Sequence, residues 1–217
     1  MARPANKRVF TREMSFEGFF KLIDTLDQEI AKISQKQTKT VKLELNKLEN
    51  IKAILIILIF TGLRISETRL ITIGDIRKAI SKYGFSIYEP KKKKNRKVEV
   101  SETATRVFKK TFDTKLNEIS DNNLIIRRYN RIQKPYSKNY LQALVNAYIH
   151  KVLGEELTTH SFRRLVITEA GDTYGMEYAQ KIANHSKIET TFLYKKLKHN
   201  IPQVLDAMWS NRGYYNN

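Results

Sequence analysis

Three short segments hold side chains that could act together on one anion. In the first, TGLRISE, Arg64 lies just past an apolar run, in a turn that begins the next predicted helix. In the second, THSFRR, His160 and Arg163 are three residues apart and therefore share a helix face. In the third, NHSKIETTFLY, His185 precedes Tyr194 by nine residues. None of these segments is decisive alone, since an isolated arginine is more simply solvated and an isolated tyrosine is more simply half-buried on a helix.

The composition limits the chemistry that is available. The chain of 217 residues contains no cysteine, which excludes disulfides, cysteine-ligated zinc and a thiol nucleophile. A covalent nucleophile must therefore be Ser, Thr, Lys, Asp, Glu, His or Tyr. The 40 Lys and Arg against 22 Asp and Glu give a formal net charge of +18. This surplus favours nucleic acid as a partner, because each neutralised phosphate releases condensed counterions, and a merely basic protein is the alternative.

No segment predicts a membrane span or a secretion signal. The longest apolar run, Ala53–Phe60, is far shorter than the roughly 20 residues of a spanning helix, so it predicts a buried core helix. Met1–Pro4 is followed by no apolar signal core. We therefore expect a cytoplasmic protein that has no membrane partner.

Hydrophobic periodicity predicts a mainly helical chain with one small antiparallel β-sheet, an α+β fold. Helices are predicted at about 13–33 and 41–61, separated by a loop over 34–40, with Gly62 as the second C-cap. After Asp75 the pattern changes to short alternation, and a β-hairpin with a cationic tip is predicted from Phe85, Ile87, Val98 and Val100. Further helices are predicted at about 102–119, 137–153, 160–174, 176–184, 188–198 and 202–209.

In order and spacing, the three segments resemble the boxes of the tyrosine recombinase (phage integrase) family. The family's Thr-Gly-Leu-Arg-Ile/Val-Ser-Glu box is intact at 61–67, its His-x-x-Arg box stands at 160–163, and its Gly-His-Ser, Thr-Thr and Tyr pattern stands at 184–194. The sequence departs from the family at Asn184, where Gly is usual, and at Arg164, where a second His is common. Neither position carries the family's chemistry. The resemblance extends from about Phe10 to Trp209.

The resemblance implies the fold of the family's catalytic domain and a role for each residue that matches a box. The residues that would surround the scissile phosphate are Arg64, His160, Arg163 and His185, with Tyr194 as the nucleophile and Glu67 as the supporting acid that orients the site. The implied reaction cleaves one DNA strand, forms a 3′-phosphotyrosyl link and frees a 5′ hydroxyl. It uses no metal, ATP or other cofactor.

The family also places a lysine on the hairpin, and this sequence offers several. One family register selects Lys91 and another selects Lys93, with Lys91 preferred. Equal strand parity would point both side chains to the same side. The neighbouring Lys92, Lys94 and Lys97 are better explained as a solvated hairpin tip.

A second cationic segment lies further along the chain. Arg127, Arg128 and Arg131, with Tyr129 between them, predict either a patch that contacts phosphates or a solvated turn, and the sequence favours neither.

Domain organisation is expected from the resemblance. Residues 1–10 would be an extension or the remnant of a linker, 11–200 the catalytic domain, and 201–217 a tail whose short helix docks on its own domain or on a neighbouring protomer. Family members carry a separate helical domain ahead of the catalytic one, so the chain is expected to be either a catalytic fragment or a minimal recombinase. The expected partners are double-stranded DNA and further copies of the chain, forming a tetramer on DNA from a monomer in solution.

The joint occurrence of five matching residues in family order predicts a site-specific DNA recombinase or integrase. A type IB topoisomerase or telomere resolvase would use the same catalytic groups, and relaxation of supercoils without strand exchange would favour it. A noncatalytic DNA-binding module would keep the fold, but the intact set of residues speaks against it.

Overall fold

The computed structural model describes residues 14–36, 38–89, 93–183 and 201–210. Within these ranges the chain forms nine α-helices and one two-stranded antiparallel sheet, which confirms the predicted mainly helical fold with one small sheet. The elements in chain order are α1 (Phe16–Ser34), α2 (Lys39–Thr61), α3 (Ile65–Thr68), α4 (Ile73–Lys82), β1 (Gly84–Glu89), β2 (Lys94–Glu99), α5 (Glu102–Leu116), α6 (Lys138–Leu153), α7 (Thr159–Tyr174), α8 (Met176–Ala183) and α9 (Ile201–Ser210). The helix predicted at 188–198 lies outside the described residues.

Helix α2 is the central element of the core. It begins after Thr38, whose hydroxyl accepts the N–H of Val41 at 3.3 Å, so the predicted loop is shorter than 34–40. Every residue from 53 to 60 is buried, because α1, α5, α6 and α7 all pack against this helix. The helix ends at Gly62, which adopts a left-handed φ of 62° and confirms the predicted C-cap. Among the described residues, α2 included, no helix is both long and apolar enough to cross a membrane.

Helix α4 is where the structure departs from the predicted elements. The sequence places a change to strand-like alternation after Asp75, whereas the helix continues to Lys82 and the first strand begins at Gly84. A capping box explains the difference. The Thr72 hydroxyl accepts the N–H of Asp75 at 3.2 Å, and the Asp75 carboxylate accepts the N–H of Thr72 at 3.0 Å.

The hairpin buries one face. Phe85 on β1 pairs with Val98 on β2, and Ile87 pairs with Arg96, so these four side chains share the same face of the sheet. Glu89 follows Ile87 by two residues and is buried on that face as well. The hairpin therefore carries one cation and one carboxylate into the protein interior.

Helix α9 closes the core of its own chain. Trp209 is 3% exposed, stacks on Phe60 with ring centroids 4.4 Å apart, and meets Phe16 edge-on at 5.1 Å. The Asp206 carboxylate accepts the N–H of Thr103 at 2.7 Å, which caps the start of α5. In this single chain the tail helix thus packs against α1, α2 and α5, and its docking on a neighbouring protomer stays a prediction.

Candidate active site

The first box forms a tight turn between two helices. Gly62 ends α2, and Arg64 is the residue that precedes the short helix α3. The Glu67 carboxylate accepts the backbone N–H of Arg64 at 2.8 Å, which fixes the turn. The Arg64 side chain is 40% exposed, and its Nη1 lies 3.8 Å from Oε1 of Glu67. The turn therefore presents a guanidinium group to solvent while its supporting acid is buried.

The second box begins helix α7. The Thr158 hydroxyl accepts the N–H of His160 at 3.2 Å, and the Ser161 hydroxyl accepts the N–H of Thr158 at 3.1 Å. These caps place His160 in the first turn of the helix, and Arg163 three residues later lies on the same side.

Arg163 ties three elements together. Its side chain donates hydrogen bonds to the carbonyl oxygens of Gly62, at the end of α2, and Ala183, at the end of α8. These account for two of the five N–H donors of a guanidinium group. Burial, followed by the nearby charge of Arg64, lowers the pKa of Arg163 to about 10, so it stays charged at neutral pH.

Arg64, His160 and Arg163 line one small cavity of about 50 Å³. Two residues of α6, Lys138 and Gln142, line the same cavity. Partial burial, then the charges of Arg163, Arg64 and Lys138, lower the pKa of His160 below its ordinary value of 6.5. The imidazole is therefore neutral at neutral pH and can accept a proton. Arg64, Arg163 and Lys138 therefore give the lining of this cavity a positive charge, which would suit an anion.

A buried ion network joins the hairpin to the first box. Arg96 on β2 places Nη2 3.3 Å from Oε1 of Glu67 and Nε 2.6 Å from Oε1 of Glu89. The side chains of Arg96, Glu67 and Glu89 are 13%, 10% and 8% exposed. Glu67 therefore holds the Arg64 turn through its backbone and is itself held by the hairpin.

The hairpin lysines have different positions. Lys93 is exposed and adopts a left-handed φ of 49° in the turn before β2, so strand parity does not decide the direction of its side chain. Lys94 and Lys97 are exposed, as expected for a solvated tip. Lys91 and Lys92 lie outside the described residues.

His185 and Tyr194 also lie outside the described residues. The last described residue before them is Ala183, whose carbonyl oxygen accepts a hydrogen bond from Arg163. Ala183 is thus hydrogen-bonded to a residue that lines the cavity.

Sequence reasoning missed four residues around this site: Glu89, Arg96, Lys138 and Gln142. Alternation alone could have found the first two, because Glu89 shares the parity of Ile87 and Arg96 that of Val98. The two on α6 carry no local signal, since only the packing of α6 against α3 brings them to the cavity.

Comparison with solved structures identifies the fold as that of tyrosine recombinase catalytic domains. XerA recombinase superposes with a TM-score of 0.60 at 17% sequence identity, over 97% of this chain and 66% of that one. A lambda integrase dimer bound to a COC′ core site gives a TM-score of 0.52 at 15% identity, over 92% of this chain and 66% of that one. This chain thus spans slightly less than two thirds of the length of either.

A sequence model described as the phage integrase family matches residues 26–200. The chain therefore belongs to the phage integrase family, as the three boxes predict. No curated protein sequence matches it significantly.

Proposed function

We propose that this chain is a site-specific DNA recombinase that cleaves and rejoins DNA strands through a 3′-phosphotyrosyl intermediate. The observation that carries the proposal is the convergence of Arg64, His160 and Arg163 on one cavity, although the two boxes are about 100 residues apart in the chain. The double-stranded DNA would place its scissile phosphate in this cavity. The surplus of 18 positive charges supports such a partner.

The bond changes balance without a cofactor. The Tyr194 oxygen attacks phosphorus, and the bond from phosphorus to the 5′ oxygen breaks. The 5′ hydroxyl of another strand then attacks the phosphotyrosyl link and releases Tyr194. The covalent link keeps the energy of the phosphodiester, so the scheme draws on neither ATP nor a metal.

The nucleophile needs help to lose its proton. A free tyrosine has a pKa of about 10, so full ionisation at pH 7 costs roughly 4 kcal/mol. His160 is assigned as the acceptor of this proton, which its lowered pKa supports, since the neutral imidazole is the form that accepts.

The remaining groups act on the phosphate and the leaving oxygen. Arg64 and Arg163 would pair with the nonbridging oxygens as negative charge builds up. His185 would donate to a phosphate oxygen, and it follows Ala183 by two residues, a length of chain that spans at most about 7 Å. Lys91 or Lys93 would protonate the leaving 5′ oxygen, and Glu67 would hold the Arg64 turn.

A nicked suicide substrate tests the proposal. The short fragment that carries the freed 5′ hydroxyl dissociates, so rejoining cannot occur and the covalent protein–DNA adduct is trapped. We expect an adduct with the unaltered chain and none with Tyr194→Phe. Tyr88→Phe is the matched control, since Tyr88 is 54% exposed on β1 and should leave the adduct unchanged. Arg64→Ala should slow adduct formation about 10²- to 10³-fold. An undiminished adduct in Tyr194→Phe would refute the assignment of the nucleophile.

Strand exchange is measured separately from cleavage. Two labelled duplexes should yield a recombinant product. Forming this product would require the synapsis of four protomers. Relaxation of supercoiled DNA without such a product would instead indicate topoisomerase activity.

A further inference from the structure

The segment 127–138 is here called the basic turn, and apart from Lys138, which lines the cavity, it has no role in the proposed cleavage chemistry. It contains five cationic residues, Arg127, Arg128, Arg131, Lys134 and Lys138, and no acidic residue. The structure separates these cations into one that anchors the segment and others that face solvent.

Arg127 is the anchor. Its guanidinium group forms a bidentate pair with the Glu118 carboxylate, one of whose hydrogen bonds is 2.8 Å long. Its backbone N–H donates to Oδ1 of Asn50 at 3.2 Å, and its carbonyl oxygen accepts from Nδ2 of Asn50 at 2.7 Å. Asn50 is fully buried in α2, so the base of the turn is fixed to the core.

Arg128, Arg131 and Lys134 face solvent. Two successive turns present them, because the N–H of Arg131 donates to the Arg128 carbonyl at 3.1 Å and that of Lys134 to the Arg131 carbonyl at 3.3 Å. Within the described part of the chain none of the three forms an ion pair with a carboxylate. An anchored turn that displays three cations without counter-charges is suited to a polyanion.

The basic turn runs directly into the cavity. Arg128 lies over the ring of Tyr136 at 5.3 Å, and this ring stacks on Tyr140 of α6 with centroids 5.3 Å apart. Lys138, between the two tyrosines in the sequence, lines the cavity that also holds Arg64. Ring contacts and Lys138 therefore link the basic turn to one wall of the cavity.

We propose that Arg128, Arg131 and Lys134 bind phosphates of the DNA duplex beside the cleavage point, as a second grip on the substrate. The inference rests on the proposed function, since it takes the same DNA as ligand. Arginine and lysine at such contacts bind all sequences about equally, so the grip supplies affinity and orientation and leaves base recognition to other side chains.

The test measures equilibrium binding to a short fluorescein-labelled duplex of arbitrary sequence by anisotropy at several salt concentrations. Each phosphate contact contributes about 0.9 to the slope of log K against log salt, so replacing all three cations with alanine should reduce the slope by about 2.7. The affinity ratio of the unaltered chain to this variant should then shrink about 40-fold between about 50 and 200 mM salt. Unfolding midpoints should stay close together, because all three side chains are on the surface.

A matched control removes three exposed lysines that lie on α4 and α5, Lys78, Lys109 and Lys110. We expect this variant to change the slope by less than the value of about 0.9 that one phosphate contact contributes. Equal losses from the two triple variants would overturn the proposal in favour of a diffuse positive surface, and so would an unchanged slope in the variant of the basic turn. The assay needs no cleavage, so a missing Tyr194 adduct would contradict the proposed chemistry without affecting this result.

Discussion

Replacing Arg96 with methionine would remove the cation that lies between two buried carboxylates. Arg96 contacts Glu67 at 3.3 Å and Glu89 at 2.6 Å, and all three side chains are at most 13% exposed. Methionine keeps most of the side-chain volume but neither the charge nor the donors. The two carboxylates would then face each other in a region that excludes most water.

The expected loss is large on the scale of protein stability. Removing one partner of a buried ion pair costs about 3–5 kcal/mol, because the charge left behind is neither solvated nor paired. Exposed pairs are worth only about 0–1 kcal/mol. Arg106→Met is therefore a matched control, since Arg106 pairs with Glu102 at 3.5 Å with both side chains about 60% exposed.

Urea denaturation followed by circular dichroism measures the free energy of unfolding of each variant. Arg96→Met should lose about 3–5 kcal/mol and Arg106→Met less than about 1. Adding Glu89→Gln to Arg96→Met should restore part of the loss, because one uncompensated charge disappears. Arg96→Lys should lose less than Arg96→Met, since an ammonium group keeps the charge but not the fork.

Equal losses for Arg96→Met and Arg106→Met would refute the reasoning, since they would mean that the two carboxylates need no buried counter-charge. So would a double variant that is less stable than Arg96→Met. Because Arg96 acts on the Arg64 turn only through Glu67, it is a positioning residue. Arg96→Met that is still folded should therefore also form the phosphotyrosyl adduct more slowly.

Two further predictions concern Gly62 and Lys115. Gly62→Ala should lower the free energy of unfolding by about 1–2 kcal/mol, because the φ of 62° is unfavourable for an L side chain. In addition, an added β-carbon would lie 3.0 Å from Cγ2 of Ile182. An unchanged urea midpoint would contradict this prediction. Burial lowers the pKa of Lys115 from 10.5 to about 8, so between these pH values the unfolded chain binds more protons than the folded one and stability should rise with pH. In urea titrations across this pH range, the free energy of unfolding of the unaltered chain should rise by up to about 3 kcal/mol relative to that of Lys115→Met. A constant difference between the two free energies would show that the amine is not desolvated.

The residues that the sequence identified are those whose signal is local. Arg64, His160 and Arg163 lie in short boxes whose spacing can be read directly, and Gly62 follows a long apolar helix. The capping box of Thr72 and Asp75 is an equally local signal, yet the helix that it begins is absent from the predicted elements. Alternation with Val98 places Arg96 on the buried face, but Arg96 lies in a run of seven residues of which six are cationic, and this charge favours a solvated tip instead.

Other features depend on contacts between distant segments. Arg127 and Arg128 are adjacent and chemically identical, yet one is bound to Glu118 and the other faces solvent. Nothing in their immediate sequence distinguishes them, because the difference arises from the approach of this segment to Asn50 on α2.

Helix α2 also sets a distance. Asn50, near the middle of α2, holds the basic turn through Arg127. Gly62, at the end of α2, accepts a hydrogen bond from Arg163 and adjoins the Arg64 turn. At 1.5 Å per residue these two points are about 18 Å apart along the helix axis, which is roughly five base pairs of B-form DNA. Inserting or deleting one residue between them would alter this spacing and also rotate one end about 100° relative to the other. The number of residues between Asn50 and Gly62 thus sets the spacing, along α2, between the anchor of the basic turn and the Arg64 turn.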